Sequence, residues 1–291
     1  MQDAIIIGCG PAGLSAALYI LRAGFSVTII GKDNGALTKA EKIENYFGLP
    51  APLDGNTLVE NGKEQARALG ARFLTEEVTG ISWNGTYEVT TVNQTLKSRL
   101  ILLATGSPRK RPSIPGIREL EGKGVSYCAV CDAFFYRGKD VAVLGNGPYA
   151  IHEALELLPL VNSVTLLTND SDLLVELPEG ISADARPIRS LLGTPALEKV
   201  IFSDGSSLPV SGLFVALGTA RGSDLAKKLG ILLEKDKILV DEFMQTNLPG
   251  CLAAGDCIGG VLQISVAVGE GARAGLTAIR YLRSGEVISH E

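Results

Sequence analysis

Ala4-Ile5-Ile6-Ile7-Gly8-Cys9-Gly10-Pro11-Ala12-Gly13, at the head of the 291-residue chain, is the stretch on which the fold turns. The apolar run reads as a buried parallel strand, and the glycines sit where that strand passes into a helix. Gly8 permits the tight turn, Gly10 lets the backbone approach a pyrophosphate, and Gly13 allows close helix–strand packing. A helical period from Leu14 to Ala23 stops at Gly24, and Phe25 to Ile30 supplies a second strand. The start of the helix then offers N–H groups to phosphate oxygens. Ile30 is followed by Gly31 and Lys32, so no acidic residue ends the second strand to bind a ribose.

The pattern occurs twice. Val141-Ala142-Val143-Leu144 is a strand, Gly145-Asn146-Gly147-Pro148-Tyr149-Ala150 a second glycine turn, and Ile151 to Leu158 a helix ended by Pro159. Val164 to Leu167 is the strand that follows. The expected fold class is α/β, with two dinucleotide-binding domains, Rossmann-like and of three-layer ββα build, the second inserted in the first. Residues 1–110 and 216–291 are expected to form one discontinuous domain and residues 111–215 the central one. Pro108, Pro112 and Pro115 with Gly116 mark the crossing. Asn84-Gly85 suits a type I′ hairpin turn, Asp204-Gly205 marks another turn, and a long helix is expected over about 264–283.

Within the central domain lies Cys128-Ala129-Val130-Cys131-Asp132. Two sulfurs at this spacing let one attack a partner disulfide while the other resolves the mixed disulfide. The bland alternative is a chance pair of buried cysteines. Zinc would need two more ligands, yet Cys9, Cys251 and Cys257 form no second pair of this kind and the only histidines are His152 and His290. No metal is expected. Cys251 to Asp256 puts a carboxylate after an apolar strand, where it can accept from a ribityl hydroxyl, and Ala104-Thr105-Gly106 closes an earlier strand in the same manner.

Apolar residues make up 46 % of the chain and glycines number 34, which suits buried parallel sheets joined by tight turns. The net charge of −5 argues against nucleic acid or an anionic membrane surface as partner. The first apolar run lacks a basic lead and is too short for a signal peptide, and no run approaches a membrane span. Five cysteines with one catalytic-looking pair fit a reducing, cytoplasmic setting. Arg109-Lys110-Arg111 is a basic knot that reads either as solvated linker or as a dock for an acidic partner.

Over nearly its whole length the chain resembles the low-molecular-weight flavin-dependent thioredoxin reductases. The matching segments are GCGPAG (8–13), ENYFG (44–48), ATG (104–106), CAVCD (128–132), GLFVALG (212–218) and AAGDC (253–257). The resemblance implies FAD held by Gly8, Gly10, Pro11, Ala12, Gly13, Ala36, Thr38, Asn45, Val78, Ala104, Thr105, Gly106, Asp256, Gln263 and Ile264. It implies a dithiol presented alternately to FAD and to thioredoxin, with Cys131 nearer the flavin, Cys128 attacking thioredoxin, and Asp132 handling the proton. Connections near residues 110–116 and 212–218 are then expected to act as hinges, and the chain to form a homodimer.

Departures from the resemblance bear on the electron donor. Members that use NADPH carry arginines after the second strand of the central fold, whereas Thr168-Asn169-Asp170-Ser171-Asp172 holds two carboxylates and no cation. Like charges repel a phosphate. The interval from Cys131 to Gly212 is also short, and Leu262 stands where a basic residue is expected. The closest likeness is therefore to the ferredoxin-dependent members, in which an iron–sulfur carrier reduces FAD directly. An NADH- or NADPH-linked reductase with an atypical pocket, a dithiol oxidase using oxygen, and a non-catalytic flavin-binding protein are the alternatives.

Overall fold

The computed structural model describes residues 1–106, 112–220 and 222–287. The chain divides into two compact units, Met1–Pro108 with Arg221–Glu291, and Arg109–Ala220. Arg109, Lys110, Arg111 and His290 lie outside the described residues.

The first unit begins with β1 (Gln2–Ile7), α1 (Pro11–Arg22), β2 (Val27–Ile30), α2 (Gly55–Ala68) and β3 (Arg72–Leu74). It continues through β4 (Val78–Trp83), β5 (Tyr87–Thr91) and β6 (Thr95–Leu103). β1 runs parallel to both β2 and β6. With a strand on each side and helices on the faces, Ala4 to Ile7 are all buried, so an unbroken apolar run is what the position demands. β4, β5 and β6 form an antiparallel meander. The connection from Asn84 to Thr86 is not the expected type I′ turn. That turn needs two residues with positive φ, and here only Gly85, at +97°, has it.

The second unit contains β7 (Val125–Ser126), α3 (Ala129–Asp132), β8 (Asp140–Leu144), α4 (Pro148–Leu157), β9 (Ser163–Leu167) and β10 (Ile181–Asp184). A three-stranded antiparallel sheet of β11 (Ile188–Leu192), β12 (Lys199–Phe202) and β13 (Ser207–Pro209) follows, and then β14 (Gly212–Val215). The parallel sheet has the order β10-β9-β8-β14-β7. Gly212 was expected in a hinge, but it opens β14, which pairs with β8 on one side and β7 on the other. A Cβ there would stand 2.6 Å from the Tyr136 ring. The glycine serves packing.

The chain returns to the first unit with α5 (Gly222–Leu229), β15 (Leu233–Glu234), β16 (Lys237–Ile238), β17 (Cys251–Ala253) and α6 (Ile264–Ser284). On its edge away from β1, β6 is long enough to serve two neighbours. Its first half pairs with β5 and its second half, Ile101 to Leu103, with β17. α6 matches the expected long helix and lies backbone-close against α1. A Cβ on Gly271 would be 2.1 Å from the Ala12 carbonyl oxygen, and one on Gly275 would be 2.9 Å from that of Ala16.

Candidate active site

Edge strand β7 delivers the chain to Cys128, which caps the single-turn helix α3, and Cys128 and Cys131 form a disulfide. The Cys131 N–H donates to Cys128 Sγ at 3.2 Å. Asp132 is held by Ser126, whose hydroxyl donates to Asp132 Oδ2 at 2.6 Å while accepting from the Cys128 N–H at 3.1 Å. From the other side the Ala129 N–H donates to Glu153 Oε2 at 2.7 Å. Cys128 is 3 % exposed, whereas Cys131 is exposed. Phe134 and Phe135, just beyond, are 70 % and 68 % exposed and pack edge to face. Burial, and secondarily the charge of Asp132, pushes the Tyr136 hydroxyl above its ordinary pKa.

Ser126 and Glu153 did not come out of the sequence reading. For Glu153 a signal existed, since it stands on the α4 face that buries Tyr149, Ala150, Ala154 and Leu157. A carboxylate among such neighbours is rarely idle. Ser126 offered no such mark.

The expected cofactor residues gather mostly at the carboxyl ends of β1, β6 and β17, the place where open parallel sheets take their ligands. The Ala104 N–H donates to the Ile7 carbonyl and the Ala254 N–H to that of Leu103. Gly8, at φ +114°, lies so close to Ala104 that a Cβ would be 2.1 Å from its carbonyl oxygen. Gly13 sits 2.1 Å, by the same measure, from the Gly8 oxygen. Gly10 is different: a Cβ there would meet nothing within 4 Å, and α1 begins at Pro11 without a side-chain cap. Uncapped N–H groups behind an open glycine are the features that a pyrophosphate needs. Ala12 lies under Gly255, and Asp256 follows it, with Lys237 Nζ donating to the Asp256 carbonyl at 2.8 Å.

Asn45 and Gln263 are brought together by a 3.3 Å bond from Asn45 Nδ2 to Gln263 Oε1, and Ile264 begins α6 behind them. Ala36 and Thr38 occupy an exposed helical turn, Gly35–Lys39. Val78 is buried at the head of β4. Thr105 turns its hydroxyl toward Gly222, leaving its backbone to line the cradle beside Gly106. A Cβ on Gly31, where the ribose-binding acid is missing, would press on Cys9 Sγ at 2.5 Å.

The second glycine turn has the same internal geometry but a different surrounding. A Cβ on Gly145 would stand 2.4 Å from the Ala216 oxygen, as Gly8 does toward Ala104. Here, however, the segment after β9 is tied to the turn. Asn146 Nδ2 donates to the Asp172 carbonyl at 2.8 Å, and the Leu174 N–H donates to the Asn146 carbonyl at 2.9 Å. Asn169 and Asp170 both adopt positive φ to let the segment turn back, and Leu174 Cδ1 is 3.9 Å from the Cβ position of Gly147.

A family model described as pyridine nucleotide-disulphide oxidoreductase matches residues 2–271. The chain belongs to that family. Within it, the likeness is to the low-molecular-weight thioredoxin reductases. The thioredoxin reductase of Aquifex aeolicus is 35 % identical over 97 % of this chain and 94 % of its own length. An atypical thioredoxin reductase from Desulfovibrio vulgaris Hildenborough is 42 % identical, with a TM-score of 0.93 over 97 % of this chain and 98 % of that one. A ferredoxin-flavin thioredoxin reductase from Clostridium acetobutylicum has a TM-score of 0.73 at 31 % identity, over 97 % and 98 %. The two-domain dinucleotide-binding fold is that of the thioredoxin reductases, and the cofactor is FAD. Cys9, Cys251 and Cys257 are buried free thiols. Among the described residues no cluster of three metal-ligating side chains occurs, and no helix is long and apolar enough to cross a membrane.

Proposed function

We propose that this protein is a cytoplasmic thioredoxin reductase that takes electrons from a reduced iron–sulfur carrier, ferredoxin, and delivers them to thioredoxin disulfide through the Cys128/Cys131 pair. One observation carries the choice of donor. The segment Asp172–Leu174 is hydrogen-bonded across the second glycine turn, so a dinucleotide approaching Gly147 meets protein already bonded there, in a segment, Thr168 to Leu174, that carries two carboxylates and no cation. The likeness to the ferredoxin-flavin enzyme of Clostridium acetobutylicum supports the same reading. Assembly as a homodimer belongs to the proposal, and a molar mass of one chain by light scattering would count against it.

FAD, when bound, supplies a store that accepts electrons singly and releases them as a pair. Gly8 to Gly13, Ala104 to Gly106 and Asp256 are the residues that would hold it. The rest is done by the chain's own groups. Once two electrons have broken the S–S bond, the attack on thioredoxin is assigned to Cys128 and the flavin side to Cys131, as the resemblance implies. The Cys128 thiolate breaks the partner's disulfide, and the departing thiolate takes a proton that Asp132 passes on from the Cys131 thiol. Cys131 then attacks Cys128 Sγ, re-forming the disulfide and releasing the partner's second thiolate. The N–H of Cys131 points at Cys128 Sγ, which steadies the attacking thiolate.

Anaerobic stopped-flow tests the donor. Reduced ferredoxin should bleach the flavin absorbance rapidly, and NADPH and NADH at micromolar concentration should not. Rapid bleaching by either nucleotide would overturn the ferredoxin assignment and leave a nucleotide-linked reductase.

A further inference from the structure

Glu153 is a carboxylic acid with 1 % exposure, placed by α4 against the peptide that follows Cys128. Its Oε2 accepts from the peptide N–H that joins Cys128 to Ala129. A peptide N–H aimed at this oxygen favours the ionised form, and the carboxylate is the form taken here to accompany the disulfide. Breaking the S–S bond puts a thiolate on Cys128, one peptide unit away and also buried. Two anions sharing a dry site are mutually unfavourable, and the ordinary resolution is that one of them takes a proton. The thiolate is already satisfied by the Cys131 N–H. The carboxylate is the group left to change.

We infer that Glu153 is the redox-linked proton site of the dithiol, taking up one proton as the Cys128–Cys131 bond is reduced and releasing it as the bond re-forms. Two electrons convert the disulfide to two thiolates. Solvent supplies the proton for Glu153 and another for the exposed Cys131. Both leave again when the Cys128 thiolate has attacked a partner disulfide and Cys131 has displaced the partner. Asp132 does not duplicate this role, because it faces Ser126 on the other side of α3. The remaining titratable groups on the elements packed here are Tyr127, Tyr136, Tyr149, His152 and Glu156, and His152 lies 3.8 Å from Glu156. The inference rests on the dithiol being the redox centre.

The test uses the holoprotein, poised anaerobically with dithiothreitol over a range of pH. Glu153→Gln keeps an acceptor for the Ala129 N–H but cannot hold the extra proton. Its disulfide should be reduced more readily at neutral pH, by about tenfold in the equilibrium constant, and its midpoint potential should fall less steeply with pH. Unmodified protein should show a protonated-carboxyl stretch in the reduced-minus-oxidised infrared difference spectrum, retained in Asp132→Asn and lost in Glu153→Gln. An unchanged equilibrium and pH slope in a folded Glu153→Gln protein would overturn the inference. So would an unmodified protein without that band, which decides the matter even if the variant does not fold. Counting thiols after reduction separates the two readings, since absence of a new dithiol would sink the redox assignment itself.

Discussion

Ser126 and Asp132 are joined by a 2.6 Å hydrogen bond that spans the whole Cys128–Cys131 turn. The same hydroxyl oxygen accepts from the Cys128 N–H, so one serine fixes both the start of the turn and the carboxylate at its end. A carboxylate that is to pass a proton to a departing thiolate must be aimed, and this bond aims it.

Ser126→Ala should therefore act on the proton step while leaving the fold alone. Losing a bond of about 1 kcal/mol corresponds to turnover slowed by about fivefold. FAD content and circular dichroism should be unchanged. Thioredoxin turnover equal to that of the unmodified protein would show that Asp132 is aimed by something else.

The two sulfurs can be told apart by trapping. Cys131→Ser leaves Cys128 free to attack but removes the group that resolves the product, so a stable mixed disulfide with thioredoxin should accumulate. Cys128→Ser should give little of it. The opposite yields, read by mass spectrometry, would make Cys131 the attacking sulfur.

The glycines of the first turn should fail in different ways. Gly13→Ala puts a methyl 2.1 Å from the Gly8 carbonyl oxygen, and overpacking of this kind costs about 1–3 kcal/mol, which thermal unfolding of the apoprotein would register. Gly10→Ala projects into open space, so the apoprotein should be as stable as before. Its FAD dissociation constant should instead rise about tenfold or more, a change of about 1.4 kcal/mol. An FAD affinity untouched by Gly10→Ala would remove the pyrophosphate from this site.

Burial governs the remaining cysteines. It pushes the Cys251 thiol up to about 12 and that of Cys257 up to about 11, and raises Cys9 as well. At pH 8 about one Cys251 in ten thousand is then thiolate, so a thiol reagent should find only the two groups released by reduction. The folded state keeps protons that the unfolded chain gives up near the ordinary value of 9.0. The resulting stability is complete below that pH and is lost as pH climbs toward 11 and 12. Cys251→Ala should flatten the alkaline limb of the unfolding curve, and an identical limb would refute the linkage.

Both glycine turns and the strands that feed them were legible in the sequence because their signals are local. A run such as Ala4 to Ile7 and the glycine beyond it fall within ten residues of each other. What was illegible depended on distant chain coming to rest alongside. Glu153 meets Ala129 only because α4 packs beneath α3, 24 positions on. The unequal exposure of Cys128 and Cys131 is likewise set by neighbours, and their equal spacing in the sequence conceals it. Thr168 to Asp172 was read for its charge, which was informative. Its bonds to Asn146 could not be read, because they require two successive left-handed residues, Asn169 and Asp170.

The division of β6 between two partners has a consequence for synthesis. Its second half pairs with β17, which leaves the ribosome only after the whole of the 109–220 unit has been made. At ordinary elongation rates that interval is about 10–30 s, during which Ile101 to Leu103 present an unpaired, wholly apolar strand edge. The continuous unit can complete its sheets in the meantime, while the discontinuous one waits for its last strand. A nascent chain stalled before residue 251 would thus carry one finished half and one adhesive half, and chaperone demand should peak in that window.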